Sequence, residues 1–196
     1  MACPANASGG WTKMHGTGAV AGRKERPVTP TLTLARFNAL PEADARVALE
    51  SCCASRSWAD AVLRGRPYPT REALLSAAEA ACLELPPADL DEALAGHPRI
   101  GERAAGDGVS ARLSRHEQSA VSRADSSVQE RLQVATAAYE QRFSRVFLIR
   151  AHGREPEEIL AELRRRLSND PQAERAEVAR ELADITGHRL EGLVTA

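Results

Sequence analysis

Thr70-Arg71-Glu72-Ala73-Leu74-Leu75-Ser76-Ala77-Ala78-Glu79-Ala80-Ala81-Cys82-Leu83-Glu84-Leu85, followed by Pro86-Pro87 and closed at Gly96-His97-Pro98, sets the character of the whole chain. Thr70 has the side chain of an N-cap, and the alanine-rich run behind it predicts a long helix through Leu85. Pro86-Pro87 starts a second helix over Ala88–Ala95, and Gly96 supplies its stop. His97 precedes a proline, which disfavours helix, so the imidazole falls on the loop just beyond that stop.

The same punctuation recurs in both directions. Upstream, Leu34 to Leu40 is a short segment, Pro41 opens a helix toward Cys53, and Trp58 to Leu63 is an apolar piece ended by Gly65-Arg66-Pro67-Tyr68-Pro69. Downstream, Glu102 to Leu113, with Gly106 and Gly108, reads as a loop, and helix resumes at Ser114. Val128, Leu132, Ala135, Tyr139 and Phe143 mark one face of a further helix. Phe147-Leu148-Ile149 is a compact apolar run, broken at Gly153. Ile159, Leu160, Leu163 and Leu167 form another stripe, and Asp170-Pro171 gives an N-cap and N1 pair for a last helix to about Val194.

Composition agrees with an all-α reading. Ala, Leu, Glu and Arg dominate the 196 residues, 43% are hydrophobic, and only 4% are aromatic. Strand-favouring runs are almost missing. Residues 1–31 mix Gly, Ser, Ala, Pro and scattered charge without a continuous apolar region. They read as a disordered N-terminal tail before a single compact multi-helix domain at 32–196. Lys plus Arg number 26 against 27 acidic residues, which disfavours a nucleic-acid partner. No window reaches the roughly 18 apolar residues needed to cross a bilayer, so a cytoplasmic location and no membrane partner are expected. The four cysteines show no zinc spacing.

Three polar groups stand out. In the last helix Val178, Leu182 and Ile185 recur on one face, and the next position of that stripe is Arg189. Either its stem packs while its charge snorkels or pairs with a neighbouring Glu, or its planar fork clamps an anion. Ser114-Arg115-His116-Glu117 has the pattern of a capping box, with Glu117 reaching back to a backbone amide. His97 alone is as readable as a hydrogen-bonded loop histidine as it is a proton carrier. His116, His152 and His188 could join His97 at a metal, but no helical H-x-x-x-H or H-E-x-x-H spacing is present. Gly-x-Gly-x-x-Gly, phosphate-loop and Gly-x-Ser-x-Gly motifs are also missing. A helical interaction module and a metal-dependent hydrolase remain as alternative functions.

From about Leu32 to Leu193 the chain resembles the 2-oxo-4-hydroxy-4-carboxy-5-ureidoimidazoline (OHCU) decarboxylases. The resemblance rests on Trp58, Arg66-Pro67-Tyr68, His97-Pro98-Arg99-Ile100-Gly101, Ser114-x-x-Glu117-Gln118, Tyr139-x-x-x-Phe143, Phe147-Leu148-Ile149, Gly153-Arg154, Arg166-Leu167-x-Asn169 and Ile185-x-x-x-Arg189-Leu190. It implies an all-α lyase, commonly a homodimer, that needs no cofactor or metal and yields (S)-allantoin in urate degradation, part of purine metabolism. It implies His97 as catalytic acid/base, Glu117 as its partner carboxylate and Arg189 as the active-site arginine. Substrate contacts are implied at Pro98, at Ser114, Arg115, His116, Glu117 and Gln118, and along the backbone of Ile149, Arg150, Ala151, His152 and Gly153. In two places the chain departs from the family pattern: Thr136 stands where asparagine is common, and Ser144 where glycine usually follows the phenylalanine.

Overall fold

A computed structural model describes residues 31–102, 109–119 and 121–196. Residues 1–30 of the expected tail, with Gly106 and Gly108 of the expected loop, lie outside the described residues. The order of elements is β1 (Leu32–Thr33), α1 (Leu34–Ala39), α2 (Glu42–Glu50), α3 (Arg56–Arg64), α4 (Arg71–Leu83), α5 (Pro87–Ala95), α6 (Val109–Glu117), α7 (Ser126–Phe143), α8 (Pro156–Arg166), α9 (Pro171–Leu193) and β2 (Val194–Thr195). The described residues are all-α apart from β1 and β2. These two short strands pair in parallel, Leu32 with Val194, and were not anticipated from composition.

Local chemistry sets most boundaries. Thr33, Ser55, Thr70 and Asp170 each accept a backbone N–H at the start of a helix, and Pro87, Pro156 and Pro171 occupy first-turn positions where no N–H is needed. Gly96 closes α5 with φ −81°, not the left-handed conformation expected of a glycine stop. What requires glycine there is proximity, since a Cβ would come within 2.8 Å of the Ala54 Cβ. Helix α2 ends at Glu50, short of the expected Cys53, so the Cys52 carbonyl lies outside its ladder.

One expectation fails in a way that matters. Val109–Leu113 is helix rather than loop, so Ser114 lies inside α6 and cannot be its N-cap. The capping-box reading of Ser114 and Glu117 falls with it, and both side chains are free for long-range partners.

Two hydrophobic cores form. The first gathers Phe37, Leu49, Trp58, Leu74, Leu90 and the α9 residues Val178, Leu182 and Ile185. The second gathers Leu132, Tyr139, Phe143, Phe147, Ile149 and the α8 residues Ile159, Leu160 and Leu163. Few as they are, the described aromatic rings are all buried in these cores. Trp58 donates its indole N–H to the Ala78 carbonyl at 2.9 Å, and the Tyr139 ring lies 4.8 Å from Phe143 and 5.1 Å from Phe147. The run Phe147-Leu148-Ile149 passes between the cores without helical structure. Because side chains of an extended chain alternate, Leu148 enters the first core while Phe147 and Ile149 enter the second.

That run is held by a buried ion pair. The Arg166 guanidinium, fully buried, donates to the Glu174 carboxylate at 2.9 Å through Nε and to the Leu148 carbonyl at 2.8 Å. It lies over the Phe147 ring, 4.8 Å from its centroid, and Tyr139 donates its hydroxyl to Glu174. Burying two charges is costly, so this pairing must be well satisfied; here the carboxylate takes Arg166, Tyr139 and Asn169 together. Seven residues further along α9, Glu181 accepts the backbone N–H of Arg150 at 2.8 Å.

Candidate active site

Between the two cores lies a pocket whose lining includes His97, Pro98, Ser114, Glu117, Gln118 and Ile149. His97 reaches it from the loop after α5, Ser114, Glu117 and Gln118 from the end of α6, and Ile149 to His152 from the extended run. The loop after His97 is anchored to α6 at Gly101, which has φ +84° and donates its N–H to the Gln118 side-chain oxygen at 3.0 Å. A left-handed residue at that turn favours glycine. This contact brings the two sequence landmarks together.

His97 is 9% exposed. One ring nitrogen, Nδ1, is 2.9 Å from the Ala93 carbonyl, so that nitrogen carries the proton. The other, Nε2, is buried without a partner. Burial, reinforced by the Arg189 charge and opposed by Ala93 and Glu117, lowers the imidazole pKa to about 4. The ring is therefore neutral near pH 7 and presents a bare lone pair in the pocket, the state of a base.

Arg189 is 4% exposed. It meets Glu117 in a two-point fork, Nε to one carboxylate oxygen and Nη2 to the other, both at 2.7 Å. It also donates to the Ser114 hydroxyl at 3.1 Å and to the Cys52 carbonyl at 3.2 Å. The pairing with a Glu weighed for Arg189 is thus realised, but with a residue far along the chain rather than a helical neighbour. Its fork is occupied by protein, which differs from an open anion clamp. No hydrogen bond joins Glu117 to the imidazole; the Ala93 carbonyl orients His97 instead.

The remaining sequence candidates divide. Arg150, Ala151 and His152 line the pocket with Ile149. Arg115 lines an adjacent groove with Gln118, and His116 and Arg189 line a groove on the far side of Glu117. Gly153 sits at the turn that ends the extended run, with φ +78°. Sequence reasoning did not find the Ala93 and Cys52 carbonyls, Glu174 or Glu181, since backbone acceptors and acidic residues on a long helix carry no distinguishing pattern.

Among the described residues no group of three or more His, Cys, Asp or Glu side chains is placed to hold a metal ion. The Cys52 thiol is pushed up to about 12 by burial, which keeps it in its unreactive neutral form. No described helix is long and apolar enough to cross a membrane.

A model of the OHCU decarboxylase family matches residues 38–191. The chain belongs to the OHCU decarboxylase family. It is similar to a solved OHCU decarboxylase whose crystal structure was determined in the presence of (S)-allantoin, with 26% identity and a TM-score of 0.61 over 72% of this chain and 92% of that one. It shares its fold with a solved (S)-allantoin synthase, at 17% identity and a TM-score of 0.64, over 84% of this chain and 54% of that one. No curated protein sequence matches as a relative. The all-α architecture and family resemblance expected from the sequence therefore hold.

Proposed function

We propose that this protein catalyses the cofactor-independent decarboxylation of OHCU to (S)-allantoin in urate catabolism, with His97 as the base. The observation that carries the residue assignment is the His97 Nε2, buried, unprotonated and without a partner in a pocket shared with Glu117.

The substrate supplies its own electron sink. Its carboxyl-bearing carbon adjoins a ring C=N bond, so when the carbon–carboxylate bond breaks and carbon dioxide leaves, the electron pair passes into the ring and the ring nitrogen takes up a proton from water, the one proton the overall reaction consumes. An enol remains. The Nε2 of His97 removes the proton of the enol hydroxyl and returns it to the ureido-bearing carbon, leaving a ring carbonyl and one stereocentre. Glu117, held in one orientation by Arg189, accepts ureido N–H groups, and the backbone from Ile149 to Gly153 with Pro98 and Gln118 fixes the ring. Arg189 acts through Glu117 and Ser114. Arg115 and His116 contribute from the outer side of α6.

A family of this kind also suggests a cytoplasmic homodimer, with residues 32–196 as the catalytic unit; size-exclusion chromatography with light scattering checks the dimer. The function itself is tested by generating OHCU freshly from urate and following circular dichroism. Allantoin of one hand must form faster than the spontaneous reaction allows. Equal rate and equal handedness with and without protein would remove the assignment.

A further inference from the structure

Three histidines from three separate elements meet at the mouth of the pocket: His116 on α6, His152 after the extended run, and His188 on α9. Their rings stack in a column, His116 to His152 at 6.0 Å between centroids and 30° between planes, His152 to His188 at 4.9 Å and 25°. All three are exposed, and none of their ring nitrogens bonds to a described residue. His152 lines the pocket, His116 lines the outer groove, and His188 lines both, so the column stands at the partition between them.

We propose that His116, His152 and His188 form an anion-receiving rim that captures the substrate carboxylate on its way into the pocket. This deepens the proposed function and rests on it for the identity of the anion. The rings are stacked face to face, which leaves their in-plane nitrogens for hydrogen bonding to an arriving anion, and among the described residues no group of three His, Cys, Asp or Glu is placed to hold a metal ion. An imidazole offers one N–H to a carboxylate, and an imidazolium offers two with a positive charge. Arg189 is spent, because it is engaged by Glu117, Ser114 and Cys52, and Arg150, which also lines the pocket, shares an outer groove with Glu79, Asp184 and Glu191. In the outer groove Arg71 and Arg189 are balanced by Glu117 and Glu191, which leaves the histidines to decide the attraction.

The rim's place at the mouth also fits the chemistry. Negative charge leaves the carboxylate as carbon dioxide forms, so donors gripping it at the reacting stage would stabilise the bound substrate more than the transition state. Donors at the mouth assist capture and leave the chemical step alone.

The test is the double variant His152→Phe with His188→Phe, which keeps aromatic stacking and removes the donors. Its KM for OHCU should rise about tenfold while kcat stays within twofold, the pattern of lost uniform binding. Wild-type kcat/KM should fall as KCl is raised, and that dependence should flatten in the variant. A calorimetric pair decides the rim without turnover: wild type should bind hydantoin-5-acetate more tightly than hydantoin, and the variant should bind both alike. If the double variant does not fold, the single His152→Phe and His188→Phe variants carry the same measurements. An unchanged KM, a fall confined to kcat, or equal wild-type binding of the two hydantoins overturns the proposal. Wild type that discriminates the hydantoins but does not turn over OHCU would sink the function and keep the rim.

Discussion

At the scale of single residues, His97 carries the sharpest consequence. Its pKa of about 4 lies below the ordinary histidine value near 6.5, so the acid limb of the kcat/KM profile should fall through about pH 4 and not through 6.5. The same shift acts on stability. Between these values the unfolded chain binds the proton and the folded chain does not, so stability is complete above about pH 6.5 and declines by roughly 3 kcal/mol as pH drops toward 4. His97→Asn should flatten that decline in urea titrations and reduce kcat/KM by about 10²–10⁴-fold. A variant of full activity would exclude the imidazole from the reaction. Ser144, at φ +55° after α7, is a non-glycine residue in the left-handed region, and this explains why the family prefers glycine there. Ser144→Gly should raise stability by about 1 kcal/mol in chemical denaturation. For Thr136, whose hydroxyl is buried without a partner, the departure from asparagine leaves an unsatisfied group and no visible gain. His97 was legible because proline follows it and glycine precedes it. Its tautomer was not, because the acceptor that sets it is a backbone carbonyl.

At the scale of elements, α6 shows how a correct pattern can mislead. Ser-x-x-Glu is a capping signature only at a helix start, and α6 begins at Val109, five residues before Ser114. The serine and glutamate then both take hydrogen bonds from Arg189 on α9. Arg189→Lys, which cannot reproduce the fork, should lower kcat/KM at least tenfold and lower the melting temperature, with both read from one preparation. The apolar run at 147–149 was visible in sequence, but its support was not. That support is the Arg166–Glu174 pair joining α8 to α9. Glu174→Gln strands a buried guanidinium and should cost about 3–5 kcal/mol. Arg166→Met combined with Glu174→Leu should recover much of that loss. A single-variant cost under 1 kcal/mol would contradict the buried pair.

At the scale of the whole molecule, the helical architecture was legible because capping residues, prolines and apolar stripes agree with one another along the chain. The two-core arrangement was not, since periodicity gives the buried face of a helix and not its partner. The pocket lies where the cores meet, so a ligand that fills it ties them together. (S)-Allantoin at a hundredfold excess over its Kd should add about 2.7 kcal/mol to stability, a rise of several degrees in a thermal scan for a chain of this size. No shift at saturation would mean that the ligand does not sit between the cores.

The final helix has a further consequence. Glu174, Glu181 and His188 are spaced seven residues apart, so they recur about every two turns along one rod roughly 35 Å long. Each serves a different place: the ion pair with Arg166, the backbone at Arg150, the ring of His152. Inserting or deleting one residue between Glu174 and Glu181 would rotate everything downstream by about 100°, swinging Arg189 away from Glu117. Length in this helix is therefore a matter of phase: it should tolerate changes of letter far better than changes of count.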